Sequence, residues 1–171
     1  MLIENTDKDI NRMKILANEN YDCEAKIATT NGVFDLLHVG HIRFLQAIKN
    51  IADVLVVCVN SDESVRRLKG EGRPIIPLAE RMEILDALRC VDYVIPFEED
   101  TPCEILAKIK PDIHVKDSSY ADKNIPEIQV VKNDGGIVVY LDKLCDHSTT
   151  DIINTILFSE ELKSFGKVGA K

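Results

Sequence analysis

Short runs of apolar and β-branched residues alternate along the chain with longer segments in which apolar residues recur every three or four positions. The short runs are typical of strands and the longer segments of amphipathic helices. The run VLVVCVN is apolar almost throughout, as expected of a strand that helices cover on both faces. The predicted strands are residues 26–30, 54–60, 91–96, 113–116 and 137–141.

The predicted helices lie between and after these strands. Ser61 or Asp62 is the expected cap of the second helix, and Pro102 opens a later one at a position where proline is tolerated. Residues 125–133 are expected to form a helix or an irregular crossover. The other predicted helices are residues 41–50, 61–68, 78–88, 102–110 and 149–158.

This alternation predicts an α/β fold, a Rossmann-like doubly wound parallel sheet of about five strands with right-handed crossovers. At 171 residues, 45% of them hydrophobic, the chain has the size of a single domain. We expect an N-terminal helical lead-in over 1–25, the domain over 26–158 and a C-terminal tail over 159–171.

Polar clusters follow four of the predicted strands at residues 30–41, 60–62, 116–120 and 146–150. Open parallel sheets bind ligands beyond the carboxyl ends of their strands. The four clusters are therefore expected to converge on one rim of the sheet and to form a single ligand site there.

The formal net charge of -8 argues against a nucleic-acid or anionic-membrane partner, because phosphate-rich surfaces attract proteins rich in Lys and Arg. Residues 66–81 nevertheless hold a local basic excess, which suits a small phosphorylated ligand. Its basic residues are Arg66, Arg67, Lys69, Arg73 and Arg81, against only Glu71 and Glu80.

The five cysteines are odd in number and include no C-x-x-C pair, which fits neither a disulfide framework nor a zinc knuckle. The sequence has no apolar core typical of a signal peptide and no apolar run of about 18 residues. These features predict a cytoplasmic protein with reduced thiols and no membrane partner.

The segment TNGVFDLLHVGH, residues 30–41, places His38 and His41 three residues apart around the start of a predicted helix. Gly40 would let a ligand approach the backbone, and the imidazoles would add N–H donors to the unpaired amides of the helix start. An anion site is one interpretation; a histidine that caps the helix is another, and a metal-binding pair a third. Because no third ligand follows at a suitable spacing, no metal ligand is predicted.

The same segment resembles the signature of the nucleotidyltransferase superfamily, (T/N)-G-x-F-D-x-x-H-x-G-H, with every position filled. The stretch RLKGEGRPIIPLAERMEILDALRCVDYVIPFEEDTPCEILAKIKPDIHVK is similar to the adenylyltransferase half of ADP-heptose synthase, as is HSTTDII near the C-terminus. The similarity spans about residues 10–158, without the sugar-kinase domain to which that half is fused in many members.

The resemblance implies transfer of AMP from ATP to a sugar 1-phosphate, such as a heptose 1-phosphate, with release of pyrophosphate. The attacking phosphate oxygen is already anionic, so a site with no obvious nucleophile–base pair suits this reaction. The implied catalytic residues are His38, His41 and Lys116. The implied nucleotide-binding residues are Thr30, Asn31, Gly32, Phe34, Gly40, Arg81, Ser148, Thr149 and Thr150.

Asp35, Asp62, Lys69, Arg73 and Asp117 are the candidates for binding the acceptor. Several of the implied site residues have a structural alternative. Asp35 orients the loop or the acceptor, or forms a local turn; Arg81 reaches the triphosphate or pairs with Glu80 at the surface; Ser148 and Asp151 also fit a capping box. The resemblance further implies a homodimer and Mg²⁺ bound mainly through triphosphate oxygens and water.

Two departures leave the acceptor and the base open. Asp117-Ser118-Ser119 stands where the heptose enzymes usually have Gly-Gly-Asp, and Asp146-His147 stands where they tend to have Gly-Cys. A CTP-dependent enzyme acting on glycerol 3-phosphate is a second hypothesis, although its usual Arg-Thr-Glu-Gly-like run is missing. A catalytically silent nucleotide-binding regulator is a third. A dinucleotide oxidoreductase is excluded, since no G-x-G-x-x-G follows the first strand.

Overall fold

The computed structural model describes residues 1–19, 21, 24–142, 145 and 148–166, and the side chains of this part except those of 159–166. Strands and helices alternate after an N-terminal helix, as predicted. The strands are β1 (Ile27–Gly32), β2 (Val54–Asn60), β3 (Tyr93–Phe97), β4 (Ile113–Asp117) and β5 (Ile137–Leu141). The helices are α1 (Asp7–Glu19), α2 (Val39–Lys49), α3 (Asp62–Lys69), α4 (Leu78–Asp86), α5 (Cys103–Ile109), α6 (Pro126–Asn133) and α7 (Thr149–Gly166), with a 3₁₀ turn over Ser118–Tyr120.

The strands of the described chain form one parallel sheet in the order β3-β2-β1-β4-β5. The chain builds the sheet outward from β1 to β3 and then crosses to the other side of β1 for β4. Ligands bind at such a reversal of strand order, beyond the carboxyl ends of the strands. The predicted α/β architecture is confirmed, and the reversal lies beside β1, from which the signature segment leaves.

Helices pack on both faces of the sheet, which explains why β2 is fully buried. Val56 and Cys58 face the core built with α1 and α5, whereas Val57 and Val59 face the core built with α2 and α4. Successive strand residues point to opposite faces, so a strand between two cores needs apolar residues at every position. No helix in the described residues is long and apolar enough to cross a membrane.

Several element boundaries differ from the predictions. β1 continues through Asn31 and Gly32, and α2 begins at Val39, because His38 is the capping residue. Residues 125–133, for which a helix or an irregular crossover is predicted, contain α6. α7 extends to Gly166, so residues 159–166 of the expected tail are helical. Nothing between Thr149 and Phe165 is glycine or proline, and these are the residues that most often end helices.

Candidate active site

A cavity of about 900 Å³ opens beyond the carboxyl ends of the strands, beside the reversal of strand order. All four polar clusters contribute to it. Its lining includes nearly every residue singled out from the sequence: Thr30, Asn31, Gly32, Phe34, Asp35, His38, Gly40, His41, Lys69, Arg73, Lys116, Asp117, Ser148, Thr149 and Thr150. Two of the predicted site residues, Asp62 and Arg81, are not part of the lining.

The two histidines are fixed by backbone hydrogen bonds at the start of α2. The Gly40 N–H donates to Nδ1 of His38 at 3.1 Å, and the His38 N–H donates to Nδ1 of His41 at 3.3 Å. The ring centroids are 4.0 Å apart. Since Nδ1 accepts in each ring, a neutral imidazole must carry its proton on Nε2. Each histidine therefore offers an Nε2–H donor, and the capping interpretation of His38 is confirmed as well.

Burial, together with the neighbouring His38, lowers the pKa of His41 to about 4. The ring of Phe34 lies 5.6 Å from that of His41, at an angle of 57°. His41 is therefore neutral near pH 7 in the protein without ligand. A neutral donor beside helix amides stabilises an incoming anion through hydrogen bonds and the helix dipole.

Gly40 is required by the histidine beside it. A Cβ at this position would lie 2.8 Å from Cε1 and 2.9 Å from Nδ1 of His38, and 3.0 Å from Cβ of Cys145. The expectation from sequence was that Gly40 gives a ligand access to the backbone. The structure adds that His38 occupies the space of the missing side chain. In the same way, a Cβ on Gly32 would lie 3.1 Å from the ring of Phe34.

Lys116 lies at the end of β4 and is 7% exposed. Its Nζ donates to Oδ1 of Asn31 at 2.9 Å and to Oε1 of Glu127 at 3.1 Å, and lies 4.6 Å from the ring centroid of Tyr120. The sequence indicated Lys116 and Asn31 and placed Tyr120 in the polar cluster 116–120 without a role of its own, but it gave no indication of Glu127. An acidic residue in the first turn of a helix is common for electrostatic reasons alone, so Glu127 gave no distinct signal.

Asp35 fixes the basic loop, which is residues 70–77 between α3 and α4. Its carboxylate accepts hydrogen bonds from Nε of Arg73 at 2.7 Å and from the N–H groups of Ile75 and Ile76, both at 2.9 Å. Burial by itself would raise the pKa of Asp35, but the bonds from Ile76, Ile75 and Arg73 outweigh it and lower the pKa. These partners lie about 40 positions away in the chain, so Asp35 orients the loop and does not form a local turn.

Arg81, which is buried, and Asp62, which is 30% exposed, form an ion pair outside the cavity lining. The Arg81 side chain is fully buried, and its Nη2 donates to Oδ1 of Asp62 at 2.7 Å and to the Asn60 carbonyl at 2.9 Å. Its Nε donates to the Ile76 carbonyl at 2.9 Å. The carboxylate partner is Asp62, not Glu80. The hydrogen bonds of Arg81 join the basic loop to the end of β2. Arg81 and Asp62 therefore have a structural role beside the cavity.

Ser148 begins α7 with the capping box that the sequence indicated. The Asp151 N–H donates to Oγ of Ser148 at 3.2 Å, and the Ser148 N–H donates to Oδ2 of Asp151 at 2.8 Å. Oγ1 of Thr149 donates to the Leu36 carbonyl at 3.0 Å, which ties α7 to the signature segment. Asp146 and His147 lie outside the described residues.

The carboxylates that line the cavity are each engaged by the protein. Asp35 pairs with Arg73, Asp100 with Arg67, and Glu127 with Lys116, while Asp117 and Asp151 cap local turns. In the described part of the chain, no group of three or more His, Cys, Asp or Glu side chains is arranged to hold a metal ion. A protein cage for Mg²⁺ does not fit this set of residues.

A family model described as cytidylyltransferase-like matches residues 29–155. The bifunctional protein HldE of Geobacter metallireducens is 51% identical over 132 residues, which cover 77% of this chain and 27% of that protein. HldE of Citrifermentans bemidjiense is 43% identical over 159 residues, 91% of this chain and 33% of that protein. The chain thus spans about a third or less of the length of these curated relatives.

Two solved structures share the fold. A lipopolysaccharide core biosynthesis protein from Thermoplasma volcanium matches with a TM-score of 0.57 and 30% identity, covering 70% of this chain and 96% of that chain. A pantoate-β-alanine ligase from Francisella tularensis matches with a TM-score of 0.55 and 14% identity, covering 89% and 76%. At 14% identity, this second likeness supports the fold alone.

The sheet order, the histidine pair at a helix start and the cavity that all four polar clusters line agree with this family match. Together they define a nucleotidyltransferase with a Rossmann-like fold. The chain belongs to the cytidylyltransferase-like family, as the signature TNGVFDLLHVGH predicted. Within that family it is similar to one part of HldE, the part that the sequence resemblance indicated.

Proposed function

We propose that the chain transfers AMP from ATP to a sugar 1-phosphate, a heptose 1-phosphate in the first instance, to give an ADP-sugar and pyrophosphate. The similarity to HldE supports this choice of substrates. The observation that carries the proposal is the histidine pair, because both rings are fixed as Nε2–H donors at a helix start in the cavity that also contains Lys116.

The reaction needs no general base. A phosphate oxygen of the sugar 1-phosphate attacks the α-phosphorus of ATP and forms a new P–O bond. The bond from the α-phosphorus to the bridging oxygen breaks, and pyrophosphate leaves with the electron pair. The nucleophile is already anionic at neutral pH, so catalysis consists of positioning and of stabilising charge on the phosphate oxygens.

Different groups of site residues are assigned to different phosphates of ATP. His38 and His41 donate to oxygens of the α-phosphate, where charge accumulates in the transition state. Thr30, Asn31 and Gly32 lie beneath the phosphates at the end of β1, and Lys116 adds a positive charge. The residues at the start of α7 offer hydroxyl groups and helix amides to the β- and γ-phosphates; these are Ser148, Thr149 and Thr150.

The acceptor lies on the side of the basic loop in this proposal. Lys69 and Arg73 line the cavity there, and Asp35 fixes the loop through Arg73. Asp117 lines the cavity at the end of β4 and is the candidate contact for acceptor hydroxyls.

Mg²⁺ enters as a complex with ATP. A homodimer and a cytoplasmic location belong to the same proposal.

A substrate matrix tests the proposal. Pyrophosphate release is measured with ATP, CTP, GTP and UTP, each combined with heptose 1-phosphates, hexose 1-phosphates and glycerol 3-phosphate. The expected result is release with ATP and a heptose 1-phosphate well above every other pair. Release with CTP and glycerol 3-phosphate would replace the proposal with the cytidylyltransferase hypothesis. No release in any well, with ATP still bound, would favour the silent regulator.

A further inference from the structure

Lys116 and Glu127 form a buried ion pair in the wall of the cavity. Their side chains are 8% and 6% exposed, and Nζ of Lys116 lies 3.1 Å from Oε1 of Glu127. Both residues line the cavity. A buried ion pair is weak evidence of a stabilising role, because desolvating two charges costs about as much as their attraction returns. The location of this pair therefore points to a role in the site.

The geometry around the Lys116 ammonium leaves room for a ligand. An ammonium group has three N–H donors, and two of them are directed at Oδ1 of Asn31 and Oε1 of Glu127. These acceptors come from β1, which pairs with β4, and from α6. The four-carbon stem of a lysine is flexible, so two fixed acceptors determine where its charge lies. Among the described residues no further oxygen accepts from the ammonium group, so a phosphate oxygen can accept from the third donor.

The elements around the pair supply further fixed contacts. Lys116 lies 4.6 Å from the ring centroid of Tyr120, and Lys123 lies 4.5 Å from the same ring. Glu127 is in the first turn of α6, where the helix dipole favours a carboxylate. The carboxyl group of Glu127 thus has a fixed position, and Lys116 is oriented against it.

We propose that Glu127 is a positioning residue, which holds the charged Lys116 side chain in the orientation that contacts the phosphates of the nucleotide. This inference deepens the proposed function and rests on it. Glu127 acts through Lys116 and does not touch the substrate. Removing the carboxylate oxygen should therefore weaken transition-state stabilisation more than it weakens ground-state binding.

The test is a double-mutant cycle with Glu127→Ala and Lys116→Met, measured as kcat and KM for ATP. Glu127→Ala should lower kcat about tenfold or more, as expected for a displaced contact, with little change in KM. In the Lys116→Met background the same substitution should lower kcat by less than about twofold, because there is no ammonium left to position. Glu127→Gln should recover most of the activity, since its amide oxygen still accepts from Lys116.

Two controls separate this role from a structural one. Glu80→Gln changes an exposed glutamate in the first turn of α4 and should leave kcat and KM unchanged. Urea denaturation of every variant shows that each is folded. An equal loss of kcat from Glu127→Ala with and without Lys116, or no loss at all, would overturn the inference.

A readout without turnover separates failure of this inference from failure of the proposed function. Acylation of Lys116 by acetic anhydride is followed by mass spectrometry in the wild-type protein and in Glu127→Ala. Loss of the ion-pair partner should raise the rate at least about threefold, because the amine, now 8% exposed and fixed by Glu127, is released to the solvent of the cavity. An unchanged rate would overturn the inference whatever the enzyme's substrates are. A raised rate with no turnover in the substrate matrix would support the positioning of Lys116 and reject only the proposed reaction.

Discussion

His38 and His41 each accept a backbone N–H at Nδ1, from Gly40 and from His38 respectively. The same bonds cap α2 and select the tautomer with the proton on Nε2. The sequence left three interpretations of the pair open, namely an anion site, a helix cap and a metal site. The structure shows that the cap and the Nε2–H donors belong to one arrangement, so a structural role does not compete with a chemical one.

Substituting His38 can separate these two roles. In His38→Asn the side-chain oxygen can still accept the Gly40 N–H, so the free energy of unfolding should stay within about 0.5 kcal/mol of wild type, whereas His38→Ala should lose about 1 kcal/mol. Both variants lose the imidazole donor, and kcat should fall on the order of 100-fold in each. Urea denaturation and pyrophosphate release are the measurements. Full activity in His38→Asn would show that the histidine only caps the helix.

His114 makes the free energy of unfolding depend on pH, independently of any substrate. It is fully buried on β4, with Nδ1 2.9 Å from Oγ1 of Thr29, and its Nε2 has no hydrogen-bond partner among the described residues. Burial first, and then the charge of Lys116, lower the pKa of His114 from 6.5 to about 3. The unfolded chain therefore binds a proton between these pH values that the folded chain does not bind.

The stabilising contribution of neutral His114 is thus complete above pH 6.5 and is lost as the pH falls towards 3. His41, whose pKa is about 4, acts in the same direction. We expect the free energy of unfolding to decrease from pH 7 to pH 4.5, and to decrease less in His114→Leu, which cannot take up the proton. Urea denaturation at several pH values measures both. The same pH dependence in the variant would contradict this assignment.

Sequence reasoning was least effective for the environment of single charged residues. Arg81 follows the basic loop in the sequence, and nothing in its spacing shows that its partners are Asp62 and the carbonyl groups of Asn60 and Ile76. Burial of an arginine depends on contacts distant in the sequence. Lys116 was easier, because the end of a strand in a parallel sheet is already a position at the ligand site.

At the scale of elements, two sets of local contacts fix the start of α2 and the basic loop. The first turn of α2 requires Gly40 because the His38 ring fills the space of a side chain. The loop after α3 is fixed because Asp35, immediately after β1, accepts from Arg73, Ile75 and Ile76. Neither contact could be predicted from periodicity, which places elements and not the packing of their ends.

Gly40→Ala should therefore impair the enzyme without unfolding it. Alanine favours helix formation over glycine by about 1 kcal/mol, but its Cβ would approach within 2.9 Å of Nδ1 of His38 and displace the ring. We expect kcat to fall at least about tenfold, as a misplaced donor implies, with the free energy of unfolding nearly unchanged. Val39→Ala, at an exposed position of the same turn, is the matched control. Equal kcat in Gly40→Ala and wild type would contradict the crowding at His38.

Asp35→Ala should release the basic loop. It leaves Arg73 without its carboxylate and two amides without an acceptor, and breaking such a buried pair costs about 3 kcal/mol. Cleavage by trypsin after Arg73 is not informative because Pro74 follows, so cleavage after Lys69 is the better readout and should accelerate. Unchanged stability together with unchanged cleavage would show that Asp35 does not hold the loop.

At the scale of the whole molecule, the sequence predicted the class of fold and the end of the sheet at which the cavity opens. Residues 54–60 and 137–141 were predicted as strands with the boundaries that the structure has, because an apolar run ended by polar residues or glycine has clear limits. The order β3-β2-β1-β4-β5 was not specified by periodicity. The pairing of strands depends on contacts between distant residues, and local pattern carries little information about them.

The proposed transfer of an adenylyl group in this cavity is tested most directly by the fate of the α-phosphate. ATP labelled with ³²P at the α-position is incubated with a heptose 1-phosphate and Mg²⁺, with the wild-type protein and with His41→Ala. The products are separated by chromatography. We predict that the label moves into an ADP-sugar with the wild-type protein, and on the order of 100-fold more slowly with the variant. Label that remains in ATP, although calorimetry shows that the wild-type protein binds ATP, would contradict the proposal.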